Sequence, residues 1–196
     1  MNVRSLLYGA AVIFATLAIL AGRTALAPIA NHKAAQSALA AATIQPATTT
    51  PDVYPVAKVI DGDTIDVVMD AALTRIRIIG LDTPEIVDPR KPVQCFAREA
   101  SDEGHKLLDS QYVRLEYDAS QDTYDKYGRT LAYVFLLNGT NYEKFMIENG
   151  FGHEYTYRLP YKYQAEFKAA EQEAQAAKRG LWADGVCLGN TTKQST

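Results

Sequence analysis

Between Val53 and Leu81 the chain reads VYPVAKVIDGDTIDVVMDAALTRIRIIGL, a stretch in which β-branched and apolar residues alternate with polar ones and two short bends interrupt the pattern. A period of two sends successive side chains to opposite faces of an extended strand. The first strand ends at the Gly-containing bend Asp61–Asp63 and the second runs from Thr64 to Met69. After a bend at residues 70–72 the third runs from Leu73 to Leu81, with Arg75 and Arg77 on one face. Strands joined by tight bends form a meander.

The rest of the chain supplies what closes such a sheet. CFAREASDEGHKLLDSQ places Phe96, Ala100, Leu107 and Leu108 at helical spacing, although Gly104 weakens a helix there. YVRLEYD, Tyr112 to Asp118, reads as a fourth strand. TLAYVFLLNGT reads as a fifth, ending in an Asn-Gly turn. NYEKFMIENG is a short helix stopped by Gly150, and a last helix is expected from about Pro160 to Gly180. The predicted fold class is therefore a β-barrel with helices (α+β): a five-stranded closed barrel of the oligonucleotide-binding (OB-fold) type, capped by three α-helices. The expected organisation is an N-terminal signal peptide or membrane anchor over 1–22, an Ala/Thr/Pro-rich linker over 23–52, the barrel domain over 53–187 and a polar tail over 188–196.

The first segment is set apart by charge. Residues 1–51 contain no Asp or Glu, and Leu6 to Ala21 form a sixteen-residue, mostly apolar run. Its length lies between a signal core and a bilayer span. The small-x-small site Ala25-Leu26-Ala27 precedes Pro28, which disfavours cleavage, so membrane attachment through residues 6–21 is an alternative to release. Both place the domain outside the cytoplasm, secreted or tethered. Residues 52–196 hold 17 basic against 23 acidic groups, a net −6, so a polyanion must be gripped by local positive groups. Cys95 and Cys187 lie in the exported part, where a disulfide is permitted and two buried thiols are the alternative. A bond between them would close a long loop, worth as much as about 4 to 5 kcal/mol in the chain-entropy model.

The third strand runs into GLDTPEIVD, Gly80 to Asp88, which sets Asp82 and Glu85 close together. The bend after the first strand carries Asp61 and Asp63. A meander brings this bend and the end of the third strand to one rim. Carboxylates so crowded call for a cation, and oxygen donors without nearby His or Cys favour a hard one, Ca²⁺ or Mg²⁺. Arg77 leaves the third strand near that rim and Arg129 opens the fifth. Two guanidinium forks can hold a phosphodiester while charge builds on it. Metal, two arginines and a further carboxylate make a phosphodiesterase constellation, in which Glu85, turned away by Pro84, is the best base. Arg75 reads as a surface ion-pair partner. His105 and His153 stand alone, which argues against zinc or a His-centred nuclease.

VIDGDTIDV, RIIGLDTPE and DKYGRTLAYV, in that order and spacing, resemble the staphylococcal nuclease (thermonuclease) family over about Val53 to Trp182. The resemblance implies a five-stranded OB-fold barrel with three helices and Ca²⁺-dependent hydrolysis of DNA and RNA, leaving 3′-phosphate ends; the expected substrates are preferably single-stranded and the expected unit is a monomer. It implies Asp63, Asp82 and the carbonyl of Thr83 as calcium ligands, Asp61 as an acid just behind them, and Glu85, Arg77 and Arg129 as the catalytic groups. It also implies Lys126 and Tyr127 at a terminal phosphate, and Tyr155 and Tyr157 beside the nucleotide. Tyr161 and Tyr163 are expected to pack a helix instead. An acidic domain with two cysteines departs from the family's best-known member, a difference that bears on affinity rather than on the reaction. Arg90 and Lys91 are weaker candidates for the substrate path. The competing reading is a non-catalytic module of the same fold that binds single-stranded nucleic acid or protein; a calcium-stabilised structural domain is a third.

Overall fold

The computed structural model describes residues 52–86 and 92–192. The expected signal or anchor, the linker up to Pro51, Arg90, Lys91 and residues 193–196 lie outside them. In chain order the elements are β1 (Val53–Asp61), β2 (Thr64–Met69), β3 (Ala72–Ile78), β4 (Leu81–Asp82), α1 (Ala97–Leu108), β5 (Tyr112–Glu116), β6 (Thr130–Leu136), α2 (Tyr142–Glu148), β7 (His153–Glu154) and α3 (Gln164–Ala176), followed by one 3-10 turn, Gly180–Trp182.

Five strands close a barrel in the order β1-β2-β3-β6-β5, and three helices accompany it, as the period-two pattern predicts. β2 and β3 pair in unbroken antiparallel register from Thr64–Arg77 to Met69–Ala72, around a bend in which Asp70 and Ala71 both take positive φ. β1 pairs antiparallel with β2 and with β5, and β5 with β6. The barrel shuts at a short parallel seam, where Ile76, Arg77 and Ile78 of β3 face Thr130, Leu131 and Ala132 of β6. That seam brings Arg77 beside the strand that Arg129 precedes.

The core is filled by the inward residues of that alternation, among them Val59, Ile65, Val67, Ile76, Ile78, Val113, Leu115 and Val134, all buried. Each such aliphatic side chain contributes about 1.5 to 3 kcal/mol on burial. Met146 and Ile147 of α2 and Phe167 of α3 complete it. Tyr161 is buried against Phe167, and Tyr163 packs edge-on to Tyr133 with ring centroids 4.8 Å apart, so both tyrosines serve packing. Gly104, expected to weaken α1, has a packing reason: a Cβ there would stand 3.0 Å from the Tyr142 hydroxyl. That hydroxyl donates to the Gly62 carbonyl at 2.8 Å.

Several boundaries differ from the sequence reading. The third strand stops at Ile78 rather than Leu81, because Gly80 turns at φ +81°, where a Cβ would strike the rings of Tyr161 and Phe167 at 2.8 Å. Leu81 and Asp82 then pair with Glu154 and His153 as β4 and β7. The fourth strand ends at Glu116, two residues short of Asp118. The last helix starts at Gln164, not Pro160, after a turn in which Gln164 N–H donates to the Tyr161 carbonyl. It ends at Ala176, before Lys178 and Gly180, which both have φ of +52°.

Candidate active site at the barrel mouth

Asp63 stands at the end of the β1–β2 bend, buried, and every oxygen of its carboxylate is used. Oδ2 accepts from Thr83 N–H at 3.0 Å, and Oδ1 accepts from the Thr64 hydroxyl at 3.0 Å and pairs with Arg77 Nη1 at 2.8 Å. Gly62 permits this approach, since a Cβ there would meet the Thr83 side chain at 2.6 Å. Arg77 is largely buried. It also donates to the Leu81 carbonyl at 2.9 Å, and its Nη2 reaches Asp82 Oδ1 at 3.4 Å. Arg129 is steered from the other side: its Nε donates to Asp125 Oδ2 at 2.6 Å and its Nη1 to the Thr64 hydroxyl at 3.4 Å. Asp125 also accepts from the amides of Tyr127 and Arg129, so the DKYGR turn is wrapped around one carboxylate.

Acids crowd this mouth. Burial first, and then the charge of Asp63, push the Asp61 carboxyl up to about 7, although it accepts a hydrogen bond from Asp63 N–H. Partial desolvation, and then Asp63, also raise Asp82, with Arg77 opposing and Glu85 adding repulsion. The rim thus gathers the acids expected of it, but among the described residues no three His, Cys, Asp or Glu side chains form a ready metal cluster. What Asp63 and Asp82 share is Arg77. The donor set still fits a hard divalent cation, because Asp63, Asp82 and the Thr83 carbonyl offer oxygen alone and such an ion would offset the repulsion between the two carboxylates. Thr83, buried beside Asp63, has a hydroxyl with no hydrogen-bond partner.

Glu85 follows β4 and is held at its backbone: its N–H donates to Gln94 Oε1 at 2.8 Å and its carbonyl accepts from Gln94 N–H at 3.1 Å. Along the same rim, Tyr155 N–H donates to the Gly80 carbonyl at 3.1 Å, so the segment after β7 leaves beside β4. Tyr155 and Tyr157 are exposed with ring centroids 6.4 Å apart. The exposed ring of Tyr127 lies 5.0 Å from Lys126 Nζ and 5.5 Å from the Arg129 guanidinium. A hydrogen bond with Tyr127, and then the neighbouring Tyr127, Tyr157 and Tyr155 phenols, hold the Lys126 ammonium above its ordinary range. One ammonium thereby stands among three tyrosines. Arg75 lies apart, bidentate on Asp66 at 2.8 and 2.9 Å, as expected of a surface pair.

Sequence reasoning missed Thr64, Asp125, Gln94 and His153. Asp125 was legible as the turn former of DKYGR. Thr64 lies inside the quoted VIDGDTIDV, but its reach to Arg129 across 65 residues, like that of Gln94 to Glu85 across 9, has no periodic signal. His153 bridges β4 to the last helix, its backbone opposite Asp82 and its Nδ1 3.0 Å from Glu171. Cys95 and Cys187 form a disulfide with Cα atoms 5.9 Å apart.

A family model described as staphylococcal nuclease homologue matches residues 75–184. The thermonuclease of Staphylococcus hyicus is 45% identical over 131 residues, covering 67% of this chain and 76% of that protein. The thermonuclease of Staphylococcus intermedius is 43% identical over 129 residues, 66% of this chain and 75% of its own. Endonuclease YncB of Bacillus subtilis (strain 168) is 36% identical over 126 residues, 64% of this chain and 59% of that protein.

Proposed function

The chain belongs to the staphylococcal nuclease family, and on that premise we propose that it is an exported, calcium-dependent endonuclease. In this reading it hydrolyses phosphodiester bonds of DNA and RNA with little sequence preference and leaves 3′-phosphate ends. The observation that carries the reading is one unbroken run of contacts, Arg129 to Thr64 to Asp63 to Arg77 to Asp82, drawn from four separate chain segments to one mouth. Two phosphate-matching forks and a crowded acid pair then share that mouth, and Glu85 follows β4 close enough to add to the repulsion on Asp82.

Asp63, Asp82 and the Thr83 carbonyl would hold the calcium ion, which supplies Lewis-acid neutralisation of phosphate charge. Arg77 and Arg129 take the non-bridging oxygens and stabilise the charge that grows on them. The Glu85 carboxylate accepts a proton from water as its oxygen attacks phosphorus. The bond from phosphorus to the 5′ oxygen breaks, that oxygen is protonated, and the phosphate stays on the 3′ side. Lys126 and Tyr127 receive a terminal phosphate. Tyr155 and Tyr157 give stacking faces that accept any base and suit unpaired strands, at about 1 to 3 kcal/mol per base. With a net −6 on residues 52–196, attraction is local and falls with salt only in proportion to these few cations. The apolar run Leu6–Ala21 and a crosslink suited to oxidising compartments support export, by release or by membrane attachment. We take the working unit to be a monomer.

The test is digestion of end-labelled single-stranded DNA and RNA by the purified chain, with Ca²⁺ and with chelator, followed by phosphatase treatment of the products. Ca²⁺-dependent cleavage with phosphatase-sensitive 3′ ends is expected. Strands bound but left intact in Ca²⁺ would instead make the protein a binding module.

A further inference from the structure

Glu85 follows β4 among residues 83–86, which belong to no strand or helix. Both of its backbone polar groups are taken by one residue, Gln94, through the two hydrogen bonds at 2.8 and 3.1 Å. The next residue is Cys95, bonded to Cys187, and Cys95 N–H donates to the Thr191 carbonyl at 3.1 Å. The C-terminal segment so attached has its own anchors: Leu181 N–H donates to the Gly150 carbonyl at 2.9 Å and Gly189 N–H to the Leu181 carbonyl at 3.0 Å. Its Trp182 stands edge-on to His153 with centroids 5.0 Å apart, and His153 is the residue paired with Asp82 in the β4–β7 ladder. Cys95, Leu181 and Cys187, with Phe96 and Trp182, form a small apolar cluster separate from the barrel core. One crosslinked segment therefore supports Glu85 on one flank of the site and Asp82 on the other.

Resting on the reading of Glu85 as the base, we propose that Gln94 is a positioning residue for Glu85 and that the Cys95–Cys187 bond holds Gln94 in place. The crosslinked C-terminal segment is then a brace of the site rather than a staple of the barrel. Gln94 fixes the Glu85 N–H and carbonyl together, so losing its side-chain oxygen lets the Glu85 backbone turn and displaces the carboxylate it carries. Misplacement of a reacting group by about 1 Å costs on the order of a hundredfold in rate. The barrel keeps its own cluster and its closed hydrogen-bond circuit, so the expected damage falls on turnover.

The experiment measures kcat and KM separately on a single-stranded oligonucleotide in Ca²⁺, using the full chain and its Gln94→Leu, Gln94→Glu, Cys95→Ser/Cys187→Ser and Glu85→Gln variants. Each is assayed well below its own melting temperature. Gln94→Leu and the double serine variant should lose kcat by roughly ten- to a hundredfold while KM stays within about twofold. Gln94→Glu keeps an acceptor oxygen for the Glu85 N–H and should retain kcat within about twofold, a rescue by the conservative variant that a general loss of packing would not show. Unchanged kcat in Gln94→Leu, a change confined to KM, or an equal loss in Gln94→Glu would overturn the proposal. If the double serine variant does not fold, the two Gln94 variants decide. Full activity in Glu85→Gln would remove the underlying assignment of the base. An inactive Glu85→Gln beside a fully active Gln94→Leu would remove the brace alone.

Discussion

The barrel mouth and the junction of β5, β6 and α3 treat the same side chain in opposite ways. At the mouth, Asp61 is driven up to about 7 by burial and by the charge of Asp63. At the junction, burial also pushes Asp118 upward, but hydrogen bonds win and hold it down to about 2. Asp118 accepts from Tyr133 Oη at 2.7 Å, Lys162 N–H at 2.8 Å, Ser120 N–H at 2.9 Å and Ser120 Oγ at 2.7 Å. Beside it, Glu116 takes Lys162 Nζ and Tyr163 Oη, both at 2.7 Å, and Arg114 at 3.3 Å. Donors at the junction outnumber the acids; at the mouth acids outnumber the cation between them. Surplus donors hold α3 to the barrel, whereas surplus acid is kept at the mouth, where the proposed reaction would bring a cation and a phosphate.

The sharpest way to break this contrast is Glu85→Gln. It should lower the rate by roughly 10² to 10⁴-fold, the usual worth of a general base, with no loss of cooperative unfolding. A comparable fall in melting temperature would make the residue structural. Next is Asp82→Asn, which removes one of the mutually repelling acids. Calorimetry should show Ca²⁺ affinity reduced by roughly ten- to a hundredfold, while chelator-treated protein melts no lower than the parent. A clear drop in stability without calcium would show that the acids at the mouth are satisfied after all.

At the junction the effects should reverse. Tyr133→Phe deletes the 2.7 Å hydrogen bond to Asp118 and should cost about 1.5 kcal/mol in urea unfolding, with kcat unchanged. A further effect of similar size is in pH. The Asp118 carboxyl is depressed on folding, so its contribution is present above the unfolded value and is lost as pH falls from about 4 toward 2. The parent should therefore lose about 1 to 2 kcal/mol over that window beyond what Asp118→Asn loses. Parallel curves would show that Asp118 has no such role.

Much of the fold was readable because its cues are local. The alternation from Val53 to Ile78, the turn at Asp70 and Ala71 and the stop at Gly150 each depend on neighbours a few residues away. The site was readable where residues cluster in short runs, as in GLDTPE and DKYGR. The helix read around Gly104 formed, because the glycine that would weaken it in isolation lets Tyr142 approach. The expected start of the last helix at Pro160 failed for a similar reason. Proline is compatible with a first turn, but Tyr161 is instead buried in the core, with its hydroxyl donating to Glu154 at 2.9 Å.

By itself the sequence determined the strand pattern, the family motifs and the identities of the acids and arginines, because period and spacing are properties of adjacent residues. Tertiary structure alone decided that β3 meets β6 in parallel, that Thr64 stands between Asp63 and Arg129, and that Glu85 is fastened through Gln94 to a segment ending beyond Cys187. Those contacts join positions that no local period relates. They form because closing the barrel buries its apolar faces and brings the polar groups of separate segments together at the mouth, where they pair with one another.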